Sequence, residues 1–335
     1  LRETLAATGG DTERDMDILR HFKHAQTLRL IAQDLAGALP LETLADHLSD
    51  LACIVLREVL RLSRASMRQT TMAEPAFAVI GYGKLGGKEL GYASDLDLVF
   101  LYRDQDGETV ENHVRLAQRM NTWLTSITPA GQLYDTDFRL RPDGESGLIT
   151  SSFEGYARYQ RERAWPWEHQ ALTRARFVAG DAAIGADFEA LRIDILRQQR
   201  DTSRLKTEVV QMRQKMHAAH PNRSGLFDVK HDPGGIIDVE FVVQTLVLAH
   251  AHAHAALTGN IGNLALLKLA AELELIPRDE ALAAHGAYRH WRQKQHALRL
   301  AGAQYARVPM DEARPHAESV QRLWRRVLEQ TNELK

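Results

Sequence analysis

Residues 81–102 read GYGKLGGKELGYASDLDLVFLY, and the fold turns on how this stretch is read. The preceding run, AFAVIG (76–81), is apolar and ends in glycine, which predicts a buried strand and a tight turn. SDLDLVFLY (94–102) predicts a second strand. Side chains alternate faces along a strand, so Asp95, Asp97 and Val99 share one face and Leu96, Leu98 and Phe100 the other. Two like charges on an apolar strand repel and need a compensating cation. A hard divalent ion suits them: Mg²⁺ prefers carboxylate oxygens, keeps several waters and shares its shell with substrate phosphates. Two such ions ~3.5–4 Å apart clamp the attacking and leaving oxygens of an in-line displacement.

A third carboxylate comes from GQLYDTDFRLRP (131–142), read as a further strand stopped by Pro142. Alternation puts Asp135, Asp137, Arg139 and Arg141 on one face, with Tyr134, Thr136, Phe138 and Leu140 opposite. The arginines suit phosphate, because a guanidinium makes paired hydrogen bonds to its oxygens. The glycines fit the same chemistry. Gly83, Gly86 and Gly87 let backbone N–H groups approach an anion ahead of a short helix, and Lys84 and Lys88 add positive charge. The stretch is not a P-loop, since Lys88 is followed by Glu89 rather than Ser or Thr. A D-x-D strand or a glycine turn alone is ordinary structure; the three features together point to metal and phosphate.

The remaining chain bounds the function. Its 335 residues carry a formal charge of −2, with 44% apolar and 26% charged residues. This composition is that of an ordinary globular protein without a basic field for nucleic acid or membrane. The single cysteine, Cys53, reads as a buried small apolar residue; it can build neither a disulfide framework nor a cysteine zinc site, which favours a cytoplasmic location. No apolar run approaches the ~20 residues of a membrane span. Leu1 does not open a signal peptide, and the chain reads as a piece of a longer polypeptide.

Three regions are expected: helices over 1–72, a catalytic α+β module over 73–182, and a helical bundle over 183–335. The fold class is thus α+β and mostly helical, with a small mixed sheet. Residues 69–75 read as a break, 110–127 as an amphipathic helix, and 151–181 as mainly helical, opened by a cap near Ser152.

The combination of glycine turn, S-D-x-D beginning at Ser94, and later carboxylate strand resembles the nucleotidyltransferase superfamily that includes DNA polymerase beta. The longer stretches are more specific. GYGKLGGKELGYASDLDLVFLY, LYDTDFRLRPDGESGLITSS, WPWEHQALTRARFVAGD and FDVKHDPGGIIDVEFVVQTLVL resemble the bacterial glutamine synthetase adenylyltransferase family, strongly over 75–250 and loosely at the flanks. That family carries two such halves. One attaches AMP from ATP to a tyrosine of glutamine synthetase, and the other removes it by phosphorolysis. The single S-D-x-D module implies one half, and the GYGKLGGKELGYASDLDL and WEHQAL wording is more similar to the adenylylating, C-terminal half. The resemblance also implies Asp95, Asp97 and Asp137 as metal ligands, with Asp137 a potential base. It implies Gly83, Lys84, Gly86, Gly87, Ser94, Arg139, Arg141 and Lys230 as nucleotide-binding residues, Mg²⁺ or Mn²⁺ as cofactor, and ATP as substrate. Glutamine synthetase, a PII signal protein and the other half of the polypeptide are the implied partners. Where the superfamily's usual Gly-Ser pair is expected, Gly83 is followed by Lys84, which leaves open what holds the triphosphate.

Other candidates have bland counterparts. Asp238 and Glu240 either border the nucleotide site or simply start a helix. Glu168, Arg174 and Arg176 could face the cleft, while Trp165 and Trp167 are expected in the core. His250 and His254 share a helix face, but two histidines make a poor zinc site. Competing functions are the de-adenylylating half, a catalytically silent regulatory domain, and an RNA nucleotidyltransferase; the charge argues against the last.

Overall fold

The computed structural model describes residues 1–67, 76–103 and 110–329. The expected break at 69–75 lies outside the described residues. The protein is α+β and mostly helical, with a five-stranded mixed sheet and a two-stranded ribbon. It divides into two compact units: Leu1–Arg163 with Ala175–Leu191, and Ala164–Arg174 with Arg192–Lys335.

The first unit opens with α1 (Arg2–Ala6), α2 (Thr12–Leu35) and α3 (Leu41–Ala65). The Asp11 side chain caps α2 by accepting from the N–H groups of Glu13 and Arg14. In α3 the residues Leu44, Leu48, Ala52, Val55, Val59 and Leu62 recur at helical spacing, and all are buried. The fully buried Arg20 of α2 donates to the carbonyls of Met16, Trp123, Ser126 and Gly131, which ties α2 to the turn after α5 (Val110–Thr125).

The sheet grows from β1 (Phe77–Gly81), followed by the short α4 (Gly83–Gly86), β2 (Leu96–Tyr102), β3 (Thr136–Asp137) and β4 (Thr150–Ser152). Next come α6 (Phe153–Glu162), opened by the expected Ser152 cap, and α7 (Pro166–Leu172), which belongs to the second unit. β5 (Arg176–Gly180) returns to the sheet, and α8 (Ala182–Leu196) leads onward. Strand order is β3-β2-β1-β5, with β4 also pairing β2. β1 runs antiparallel to β2 and β5, whereas β3 and β4 run parallel to β2. Phe77, Val79, Leu96, Leu98 and Phe100 join one core with α3 and α5. Ile80, Val99 and Leu101 are just as buried on the other face. The sheet is therefore covered on both sides, which explains why β2 becomes a continuous apolar run beyond Asp97.

The second unit holds α9 (Thr202–Ala219), β6 (Phe227–Asp228), α10 (Ile236–His250), α11 (Asn263–Glu272), α12 (Arg278–Leu300), β7 (Arg307–Val308) and α13 (Met310–Trp324). α10 is apolar almost all round and buried, so it forms the centre of this bundle. Trp291 of α12 stacks on Phe227 at 5.1 Å and donates its indole N–H to the Gly234 carbonyl.

Four expectations need correction. RFVAG (176–180) is a strand, not helix, because β1 offers it an unpaired edge. The expected strand over 131–142 shrinks to Thr136–Asp137, for a reason given below. α10 ends at His250 and His254 precedes a 3₁₀ turn, so the histidines do not share a regular helix face. Trp165 and Trp167 are exposed, at 62% and 37%. In the short α7 it is Glu168, Gln170 and Leu172 that turn inward, and Glu168 is held there by accepting the Trp165 N–H at 2.8 Å.

Candidate active site

The site is built where β1 turns into α4 beside the start of β2. Gly83 sits at φ +52°, in the left-handed region that glycine tolerates. The Tyr82 N–H donates to the Asp97 carbonyl at 2.9 Å, which holds the turn against β2. Arg176 of β5 braces the turn from behind by donating to the Leu85 carbonyl at 3.1 Å, and the same guanidinium nitrogen lies 3.1 Å from the buried Cys53 sulfur. This role for Arg176 was not legible in the sequence, because its partners lie about a hundred residues away.

Asp95 is exposed just before β2, and Asp97 is half-buried within it. β3 lies parallel to β2 with Leu96 opposite Thr136 and Asp97 opposite Asp137. The third acid expected from sequence therefore stands on the neighbouring strand, level with Asp97. Asp135 is exposed and accepts from the Gln132 side-chain amide at 2.7 Å.

Beyond Asp137 the strand stops, because the Asp137 carboxylate accepts the backbone N–H of Arg139 at 2.8 Å. An aspartate that captures the N–H two residues on makes a turn and competes with the sheet ladder. Strand alternation thus fails after Asp137, but the turn brings Arg139 back onto it. The guanidinium grips both carboxylate oxygens of Asp137. Partial burial alone would raise the Asp137 carboxyl; the hydrogen bonds and charge of Arg139 outweigh it and hold the group below the usual aspartate range. The hydrogen bond and charge of Asp137 raise the Arg139 guanidinium, and the negative fields of Asp97 and Asp95 add to that effect. Gly83, Asp95, Asp97, Asp137 and Arg139 are therefore gathered in one place.

The other candidates are placed differently. Lys84 is half-buried in α4, Gly86 is buried there, and Gly87 closes that turn. Lys88 is left-handed at φ 53°, with its ammonium 3.3 Å from Asp50. Ser94 is buried, and its hydroxyl accepts the Gly91 N–H at 3.0 Å. Arg141 donates to the carbonyls of Phe138, Glu145 and Gly147, so its donors shape the loop. Lys230 belongs to the second unit, in the turn before α10, where its N–H donates to Asp228 at 2.9 Å. Asp238 and Glu240 lie in the same unit and pair with Arg213 at 2.5 Å and Arg174 at 2.7 Å. Asp238 also accepts the Gly234 N–H at 2.6 Å and is not the N-cap, which is Gly235.

Among the described residues no group of three or more histidine, cysteine, aspartate or glutamate side chains is arranged to hold a metal ion. The acidic groups gathered at the candidate site are carboxylates, and Asp137 among them is paired with Arg139. That chemistry fits a hard ion such as Mg²⁺, which binds through one or two carboxylates plus water and substrate phosphate rather than in an all-protein cage.

Comparison with known proteins agrees with this architecture. The family model described as glutamate-ammonia ligase adenylyltransferase matches residues 1–191, and the chain belongs to that family. A second family model, described as GlnD PII-uridylyltransferase, matches residues 201–327 of the helical unit. A protein of Nitrosomonas eutropha is 59% identical over 290 residues, covering 87% of this chain and 31% of the relative. One of Aromatoleum aromaticum is 54% identical, covering 97% of this chain and 34% of the relative. One of Chromobacterium violaceum is 54% identical, covering 98% and 37%. All three are named bifunctional glutamine synthetase adenylyltransferase/adenylyl-removing enzyme. The chain spans about a third of the length of these relatives.

Proposed function

We propose that this chain is a nucleotidyltransferase that moves AMP from ATP to a tyrosine of glutamine synthetase. One observation carries the reading: in a member of this family, adjacent parallel strands set Asp97 level with Asp137 beside a glycine turn. The adenylylating direction is supported by the wording of GYGKLGGKELGYASDLDL and WEHQAL; the relatives' bifunctional name covers both directions. The second reading is therefore removal of AMP by phosphorolysis, which gives ADP.

In the proposed reaction the tyrosine oxygen bonds to the α-phosphorus as the bond to pyrophosphate breaks. Asp95, Asp97 and Asp137 would hold Mg²⁺ or Mn²⁺, which when bound supplies charge neutralisation for the triphosphate. Asp137 is also the candidate general base for the phenol proton, a role that needs hydrogen-bond reach to that hydroxyl. Arg139 would meet the phosphates as Asp137 turns to the ion. The glycine turn, with Lys84, supplies donors to the nucleotide, and catalysis rests on positioning and charge.

The protein substrate, the remainder of a longer polypeptide and a PII-type regulator belong to this reading as partners. The last is supported by the likeness of the helical unit to the uridylyltransferase family. A cytoplasmic location is part of the same proposal; among the described residues no helix is long and apolar enough to cross a membrane.

The test is labelled-AMP incorporation from ATP into purified glutamine synthetase with Mg²⁺, beside Asp95→Asn. Label with the wild type alone supports the proposal. ADP release from AMP-modified glutamine synthetase and phosphate, with no incorporation, favours the second reading. Neither activity from a folded chain leaves a silent regulatory domain.

A further inference from the structure

The glycine turn was read as a cradle for phosphate, but its first glycine meets something else. A Cβ placed on Gly83 would stand 2.2 Å from the Asp97 Oδ2 and 3.0 Å from its Cγ. Those atoms belong to a short side chain on a strand whose backbone is pinned on both sides. The Asp97 carbonyl accepts the Tyr82 N–H, and β3 pairs with β2 at Asp97 itself. Asp97 therefore has no slack along the backbone, and any side chain at position 83 must turn its carboxylate away. α4 is a single turn of four residues, too short to supply a helix-end field for an anion.

We propose that Gly83 is a positioning residue: its bare Cα is the seat on which the Asp97 carboxylate rests, aimed at the place it shares with Asp137. The proposal rests on the metal reading above only for what the seated carboxylate binds. The seating itself is a contact between two residues of this chain. The demand at position 83 is for missing volume beside Asp97, and it places no constraint on residue 84.

The experiment is a double-mutant cycle of Gly83→Ala and Asp97→Ala, read by Mn²⁺ titration with electron paramagnetic resonance and by thermal melting. Gly83→Ala is expected to weaken Mn²⁺ binding at least tenfold while circular dichroism stays that of the wild type. Adding it to Asp97→Ala is expected to weaken Mn²⁺ binding no further, and the melting-temperature loss from Gly83→Ala should shrink in that background. Wild-type Mn²⁺ affinity in Gly83→Ala, or additive losses in the double variant, would overturn the seating. If the wild type binds no Mn²⁺, the metal reading fails, and the melting cycle alone decides the seating. If Gly83→Ala does not fold, recovery of folding in the double variant supports the proposal. Failure of both variants to fold would show that backbone strain at φ +52° is the whole effect, and would overturn it.

Discussion

One set of charges in each unit is arranged differently from the other. In the helical unit three acids each meet an arginine: Asp238 with Arg213, Glu240 with Arg174, and Glu280 with Arg326. Asp238 and Arg213 are both almost wholly buried, Glu240 and Arg174 largely so, while Arg326 reaches the buried Glu280 from an exposed position. In the sheet unit Arg139 grips Asp137 and feels the fields of Asp97 and Asp95, and Arg141 adds its charge at Asp137. Pairs that cancel exactly one charge with one charge are what a core needs, since an uncompensated buried ion is costly. On the function proposed above, the paired acids hold the fold and the gathered carboxylates would be offered to a ligand.

The comparison breaks first at its most sensitive point. Asp97→Asn should reduce AMP transfer by more than about a hundredfold while the chain melts as the wild type does. Activity near normal in a folded variant would remove Asp97 from the chemistry. Arg213→Ala should do the reverse in kind. It strands a buried Asp238 carboxylate, so chemical denaturation should show a loss of about 3–5 kcal/mol. A loss below about 1 kcal/mol would mean that water or protonation rescues Asp238 cheaply.

Arg139→Ala should act more mildly and on both counts. The catalytic effect of ATP concentration should shift by about tenfold in KM, the scale of a charged hydrogen-bonding partner lost at an exposed position. Carbon-detected NMR should find the Asp137 carboxyl below the ordinary aspartate value in the wild type and moved up in the variant. A depressed folded-state pKa means that the contact stabilises the fold above the ordinary aspartate range, and that this contribution fades as pH falls through the folded value. An unmoved Asp137 resonance would show that the pair seen here is not the one that sets its charge. The smallest effect is expected at Trp165, exposed at 62%. Its change to alanine should alter stability by no more than about 0.5 kcal/mol. A larger loss would return it to the core where the sequence first put it.

Much of this was local enough to read directly. Helical spacing in α3 and α5, the Ser152 cap, the strand–glycine–strand wording and the Asp95–Asp97 pair all express interactions within a few residues. Such patterns follow from backbone geometry and burial, and they survive in any tertiary setting that wants one apolar face. Family wording extended the reading to Asp137, which alternation alone could not separate from Asp135.

The rest belonged to the tertiary structure. That RFVAG is a strand depends on a hydrogen-bonding edge of β1 some hundred residues earlier. That β3 is two residues long depends on the Asp137 side chain taking a backbone N–H that a ladder would have used. That Arg141 folds a loop, Arg176 braces the glycine turn and Gly83 makes room for Asp97 depends on which atoms the folded chain brings within reach. Residue type and spacing announce which chemistry a chain carries. Only strand pairing and close approach decide which of those groups face one another, because hydrogen-bond partners and excluded volume are properties of neighbours in space and leave no period in the sequence.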